Sequence, residues 1–145
     1  MARIEESVEI RLPVERVFAY VTDVKNLPKW ISSMLEAEQT SPGQMAVGAT
    51  FRGVNQMMGQ RMAWTSKVTE YESNKKTHEA ISSGSTLIEE NMTFESVEGG
   101  TKFTFADDIK VGGLLKLFAP MMTSMMRKQT RGNLNELKHI LETQT

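Results

Sequence analysis

Apolar residues along the chain follow two periods, and the places where one gives way to the other mark out the elements. Ile4, Val8 and Ile10 share one face at the start, with Glu5, Ser7, Glu9 and Arg11 on the other, the period-two alternation of a half-buried strand. Leu12-Pro13 ends it, and Pro13 suits the first turn of a helix, where a missing N–H costs little. Val14, Val17, Phe18 and Val21 then recur at helical spacing up to Asp23. A second short helix is predicted over 26–31, with Pro28 in its first turn and Trp30 on its apolar side. From about residue 34 to residue 111, short alternating runs are separated by turn signals at Pro42-Gly43, Met58-Gly59, Ser73-Asn74, Gly84-Ser85 and Gly99-Gly100. The predicted strands cover 34–40, 47–57, 60–71, 76–82, 86–98 and 101–111, and their short connections make an antiparallel meander. Gly112-Gly113 then releases the chain into a helical stretch over about 114–142. Strand, two helices, six strands and a long helix is an α+β order, in which the long helix must cover the concave face of a bent sheet.

Turn lengths set which side chains face that helix. A two-residue Gly99-Gly100 turn pairs Glu98 with Thr101, and so sets Phe94 opposite Phe105, Met92 opposite Asp107, Glu90 opposite Ile109 and Ile88 opposite Val111, all on the inner face. The outer face then carries Glu89, Asn91, Thr93, Glu95, Lys102, Thr104 and Lys110. A Met58-Gly59 turn sets Phe51 opposite Ser66, Gly53 opposite Trp64 and Asn55 opposite Met62, and points Val47, Ala49, Met57 and Val68 inward as well. Gly53 leaves room for a large ring, that of Trp64 or of a ligand.

Two acids on this apolar face stand out. Glu90 and Asp107 lie diagonally across the last hairpin in this register, and neither belongs unpaired in a dry core. They are either wetted or paired near a cavity mouth, or they serve a ligand's polar group or act as acid and base. His78 joins them only if an odd-length loop at Gly84 turns His78 and Ala80 inward; a two-residue loop turns Glu79 and Ile81 inward instead. Burial of Ile81, worth about 2 kcal/mol, favours the second arrangement and an outward His78.

Composition narrows the chemistry. The chain has 145 residues, 17 Lys and Arg against 18 Asp and Glu, and a formal charge of -1, without the basic surplus of a general nucleic-acid binder. With no Cys and two His, thiol catalysis is excluded and a Cys- or His-rich metal site is not expected, nor does any motif call for a cofactor. The start lacks the apolar core of a signal peptide and no window reaches a membrane span, so a single cytoplasmic domain over residues 1–145 is expected.

Eleven Met is a high count, and four of them are Met121, Met122, Met125 and Met126. Methionine fills irregular gaps or lines surfaces that accept variable shapes. On the long helix, Met122, Met126, Thr130, Leu134, Leu137 and Leu141 fall within about 120°, a stripe suited to gripping the sheet. Leu114, Leu117, Phe118, Met121 and Met125 gather on another side, with Lys116, Arg127, Lys128 and Arg131 beside them. Either Pro120 kinks the helix and turns this second group inward, or it forms an exposed patch for a homodimer or a membrane surface.

The segment from Pro13 to Asp23, followed by Asn26-Leu27-Pro28-Lys29-Trp30, resembles the opening of the polyketide cyclase/dehydrase and lipid-transport family of the START/Bet v 1-like (SRPBCC) superfamily. Val68-Thr69-Glu70-Tyr71-Glu72, Gly99-Gly100-Thr101 and the ending from Asn135 to Glu142 are similar to its later landmarks. The resemblance implies a helix-grip fold around a cavity, and a hydrophobic ligand such as a lipid, quinone or polyketide-like aromatic. The expected walls are Trp30, Phe51, Asn55, Met62, Trp64, Glu90, Met92, Phe94, Phe105, Asp107, Met122 and Met126. A cyclase-type enzyme using Asp107 and Glu90, and an interaction module docking through the long helix, are the alternatives.

Overall fold

The computed structural model describes residues 2–144, the side chains of Leu114 and Leu115 excepted. Strand β1 (Ala2–Ile10) leads into helix α1 (Val14–Val21), a 3-10 turn (Val24–Asn26) and helix α2 (Leu27–Trp30). Six strands follow: β2 (Met34–Gln39), β3 (Thr50–Met57), β4 (Gln60–Glu72), β5 (Lys76–Ser83), β6 (Thr86–Val97) and β7 (Gly100–Lys110). A 3-10 segment (Gly113–Phe118) then runs into the long helix α3 (Ala119–Thr143). The sheet order is β1-β7-β6-β5-β4-β3-β2 with every neighbour antiparallel, so β2 to β7 form the expected meander and β1 returns to pair with β7. This is the α+β helix-grip plan. Among the described residues, no helix is long and apolar enough to cross a membrane.

Register agrees with the pattern on the β3–β4 hairpin and departs from it on β6–β7. Met58 and Gly59 both take positive φ, 53° and 80°, and the two-residue turn pairs Phe51 with Ser66, Gly53 with Trp64 and Asn55 with Met62. On the last hairpin the turn residues are Glu98 and Gly99 instead of the glycine pair, so Val97 faces Gly100. Gly99 supplies the positive φ, 84°, whereas Gly100 is held by a close approach in which a Cβ would lie 2.1 Å from the Ile10 carbonyl oxygen. A shift of two residues keeps every side chain on its face but changes partners. Phe94 meets Phe103, Met92 meets Phe105, and Glu90 lies directly opposite Asp107, not diagonal to it.

Further corrections concern the ends of elements. Strand β3 begins at Thr50, because the chain turns at Gly48 (φ 93°), which leaves Val47 63% exposed and off the inner wall. Pro120 does not kink the long helix; it occupies its first turn, and the residues before it wind as the 3-10 segment. Leu117, Phe118 and Met121 are accordingly exposed, Met125 is half-buried, and the side chain of Leu114 lies outside the described residues.

Helix α3 divides into two halves by what it covers. Leu134, Leu137 and Leu141 are buried against Phe18, Trp30, Phe94 and Phe103 in a dry core closed from the other side by α1. Met122, Met126 and Thr130, on the same stripe, face a cavity instead. Truncating a close-packed leucine leaves a void whose lining loses its contacts, whereas a side chain on a cavity wall has less to lose. Leu137→Ala is therefore expected to cost about 2–5 kcal/mol in chemical denaturation, and Met126→Ala clearly less. Equal losses at the two positions would contradict this division of the helix.

Candidate functional site

The cavity beneath the first half of α3 has a volume of about 830 Å³. Its walls come from the inward residues of β3 to β7, from Val21, Leu27 and Ile31, and from Ala119, Met122 and Met126 of α3. Reading down paired positions on β6 and β7 gives the order of depth. Phe94 and Phe103 belong to the dry core, Met92 and Phe105 form the partition, Glu90 and Asp107 come next, and Ile88 and Ile109 lie beyond them.

Of the residues expected at the site, Phe51, Asn55, Met62, Trp64, Glu90, Met92, Phe105, Asp107, Met122 and Met126 line this cavity, and Trp30 and Phe94 do not. Phe94 is 5% exposed and packs edge-on to Phe18 at 4.9 Å between ring centres. Trp30 is 2% exposed and plugs the core against Phe103 and Phe105, with its indole N–H unpartnered. Phe94 has the residue type and parity of a cavity wall, but its depth along the sheet puts it where the leucines of α3 close the space, and Trp30, on α2, packs into the same core.

Opposite the partition, the Trp64 indole lies over Gly53, where a Cβ would come within 2.2 Å of the ring. The room at Gly53 is thus taken by Trp64. The indole N–H donates to Asn55 Oδ1 at 2.9 Å, and Asn55 Nδ2 donates to Ser33 Oγ at 3.2 Å, which holds ring and amide in place.

The acids form the polar part of the cavity, and there are three of them. Gly84-Ser85 is a two-residue turn, pairing Ser83 with Thr86, so Glu79 and Ile81 face inward and His78 outward. His78 Nδ1 pairs with Thr69 Oγ1, and its Nε2 lies 3.0 Å from Glu89 on the outer face. Glu79 then stands opposite Glu90, and Glu90 opposite Asp107, one carboxyl on each of three adjacent strands. Sequence reasoning turns Glu79 inward with Ile81 but does not count it among the site residues, because the expected β6–β7 register sets Glu90 opposite Ile109 and so hides the row. The β4–β5 turn holds three residues rather than Ser73-Asn74 alone, and a bulge at Thr69 restores the register before Val68 meets Glu79. Ser66 Oγ donates to Glu79 Oε1 at 2.9 Å, while Asp107 Oδ1 is buried without a partner. Among the described residues, no group of three or more His, Cys, Asp or Glu is arranged to hold a metal ion.

Comparison with known proteins fits this architecture. Residues 1–142 match the family described as polyketide cyclase / dehydrase and lipid transport. The chain belongs to that family. Its fold is shared with TTHA0849 from Thermus thermophilus, at 16% identity and a TM-score of 0.83 with 97% of each chain covered. It is shared also with the Zhui aromatase/cyclase from Streptomyces sp. R1128, at 13% identity and a TM-score of 0.81 over 97% of this chain and 93% of that one. Ara h 8.0201 aligns at 16% identity and a TM-score of 0.71, with 97% of each chain covered. No curated protein matches the chain by sequence.

In this family member, burial governs the charge of the row. Desolvation pushes Asp107 up to about 7, with Asp108 and then Glu79 adding repulsion. Desolvation, then Asp107 and Glu79, raises Glu90 well above the carboxylate range. Glu79 is raised by desolvation, against which the Ser66 hydrogen bond works. A folded-state pKa above the unfolded value means that the native state holds a proton the unfolded chain has released. The row's contribution is therefore most favourable at low pH and is eroded as pH rises from about 4 through the value of about 7 at Asp107. Asp107→Asn is expected to stabilise the fold by about 1–3 kcal/mol at pH 8 and by little at pH 4. Denaturation curves at the two pH values check this, and an equal effect at both would remove the case for a protonated row.

Proposed function

We propose that the protein binds a hydrophobic small molecule in the cavity under α3. The observation that carries this reading is a space of about 830 Å³ under α3 with mostly apolar walls and its carboxyls gathered on one side. Ligand sites are typically of about 300–1,000 Å³, mostly apolar, with a few polar groups to fix orientation. The family description supports the same class of ligand. Binding is favoured over proton-transfer catalysis by the arrangement of the acids. Glu79, Glu90 and Asp107 share one row of one wall, and no Lys, Arg, His or Tyr is among the described residues lining the cavity. An acid and a base working on a bound molecule need to reach it at different atoms, which neighbours in a single row serve poorly. The test is titration with the neutral dye N-phenyl-1-naphthylamine. Saturable binding of one dye per chain is expected, weakened at least tenfold by Ile88→Trp with Met126→Trp, which fill the space from two sides. A dye that fails to bind the wild type, or binds the filled variant equally, would refute the proposal.

The finer reading is that the cavity is loaded from a membrane surface. Leu117 is 78% exposed, Phe118 53% and Met121 59%, immediately beside the cavity-lining Ala119 and Met122. Lys116 and Lys128 are exposed on the same stretch of chain, so apolar groups able to enter a bilayer have basic neighbours suited to anionic headgroups. Co-sedimentation with phosphatidylglycerol vesicles at low salt is expected, and Phe118→Glu with Met121→Glu should reduce it at least fivefold. Self-association of the wild type in place of vesicle binding would assign the patch to a homodimer.

A further inference from the structure

We propose that the cavity selects ligands carrying a protonated amine, whose N–H groups sit on the carboxyl row of Glu79, Glu90 and Asp107. The inference rests on the cavity being a ligand site and names the class of ligand it takes. Register places the three carboxyls side by side across β5, β6 and β7, spaced by about 4.8 Å per strand. The row is sealed at both ends by apolar side chains, Ile4 opposite Asp107 and Val68 opposite Glu79, at 1% and 0% exposure. No protein cation has a way in from the sides. None is supplied from the cavity either, since no Lys, Arg or His is among its described lining residues.

On the outer face Arg3 pairs with Asp108 and Glu5, and His78 Nε2 lies against Glu89. Among the described residues the Ser66 hydroxyl on Glu79 is the one side-chain donor to the row, and Asp107 Oδ1 is buried with no partner. A buried acceptor without a donor is costly, and an occupant that brings donors removes that cost. The sign of the field decides among occupants. A carboxylate ligand brings no donor and would repel any of the three acids that ionises, and an alcohol brings one weak donor. An ammonium brings positive charge together with three N–H groups, and its hydrogen bonds to carboxylate are roughly twice as strong as neutral ones. A bare metal ion is disfavoured because the acids are not arranged around one point. Desolvation holds protons on the row when no cation is there, and an ammonium would release them.

The experiment is displacement of N-phenyl-1-naphthylamine at pH 7 by decylammonium, decanol and decanoate, which share one tail and differ in the head. Decylammonium is expected to displace the dye at a concentration at least tenfold lower than decanol, with decanoate the weakest. In Glu90→Gln with Asp107→Asn the ratio of amine to alcohol should fall to within about threefold, a ratio that cancels any change in dye affinity. If thermal melting shows that double variant to be unfolded, Glu79→Gln carries the same comparison and should lower the ratio at least threefold. Decanol or decanoate matching the amine on the wild type, or a ratio unmoved by the amide variants, would overturn the proposal. In both cases the dye still binds, which distinguishes them from a protein that binds no dye, where the cavity reading itself has failed.

Discussion

Strand β6 sets the terms for the whole interior, because side chains in a strand alternate and cannot be turned out singly. Ile88, Glu90, Met92 and Phe94 share a face, so burying the apolar members carries Glu90 in with them. The same holds on β7, where Phe103, Phe105 and Ile109 bring Asp107 inward. Each large apolar side chain contributes about 1.5–3 kcal/mol on burial. A neutral polar group left without a partner costs about 1–3 kcal/mol, and an ionised one far more. With several apolar residues for each acid, the balance favours the observed register provided that the acids can stay protonated. The raised pKa values are the consequence of that choice, not a separate feature.

A cavity remains because α3 fills only one end of the bent sheet. Leu134, Leu137 and Leu141 meet a wall of rings from Phe18, Phe94 and Phe103 in one buried cluster. Toward the other end the helix offers Thr123, Met126 and Thr130, while the facing strands offer Ser66, Thr77 and Ser83. Small and slender side chains on both surfaces cannot meet across the gap. The largest ring at that end, Trp64, is drawn onto Gly53 and fastened by Asn55, which keeps it against the sheet.

The fold was legible because each element carried its own period and each turn its own punctuation. Register was legible where turn chemistry allowed one solution, as at Met58-Gly59 with both residues at positive φ. Gly99-Gly100 allowed two, since a glycine required by a turn and a glycine required by a close contact look alike in a sequence; only the structure separates the roles of Gly99 and Gly100. The resulting two-residue error preserved parity, so the inner face was right while the opposition of Glu90 and Asp107 was not. The two-residue Gly84-Ser85 turn already points Glu79 inward opposite Glu90, but its place in a row with Asp107 appears only once the β6–β7 register is corrected. Phe94 lies in the core for another reason: parity tells which face a side chain takes, not how far along the sheet the helix presses down, and the apolar side of α2 likewise does not tell whether Trp30 meets core or cavity.

The acids and the empty space answer to one another. Carboxyls packed against solid apolar side chains would have no route to a donor and would stay protonated at any ordinary pH. Desolvation by the cavity wall pushes Asp107 up to about 7, so both of its forms are accessible near neutrality. The row therefore responds to whatever enters. An occupant with donors or positive charge lowers the cost of ionisation, and an apolar occupant raises it by displacing water. Occupancy and protonation are linked by necessity, since any ligand whose affinity depends on the charge of the row must shift that charge when it binds. With marginal stability of about 5–15 kcal/mol for a folded chain, relief of the strain in even one buried carboxyl makes the bound state measurably more stable. What the interior binds and how firmly the sheet grips its helix are consequently parts of a single equilibrium.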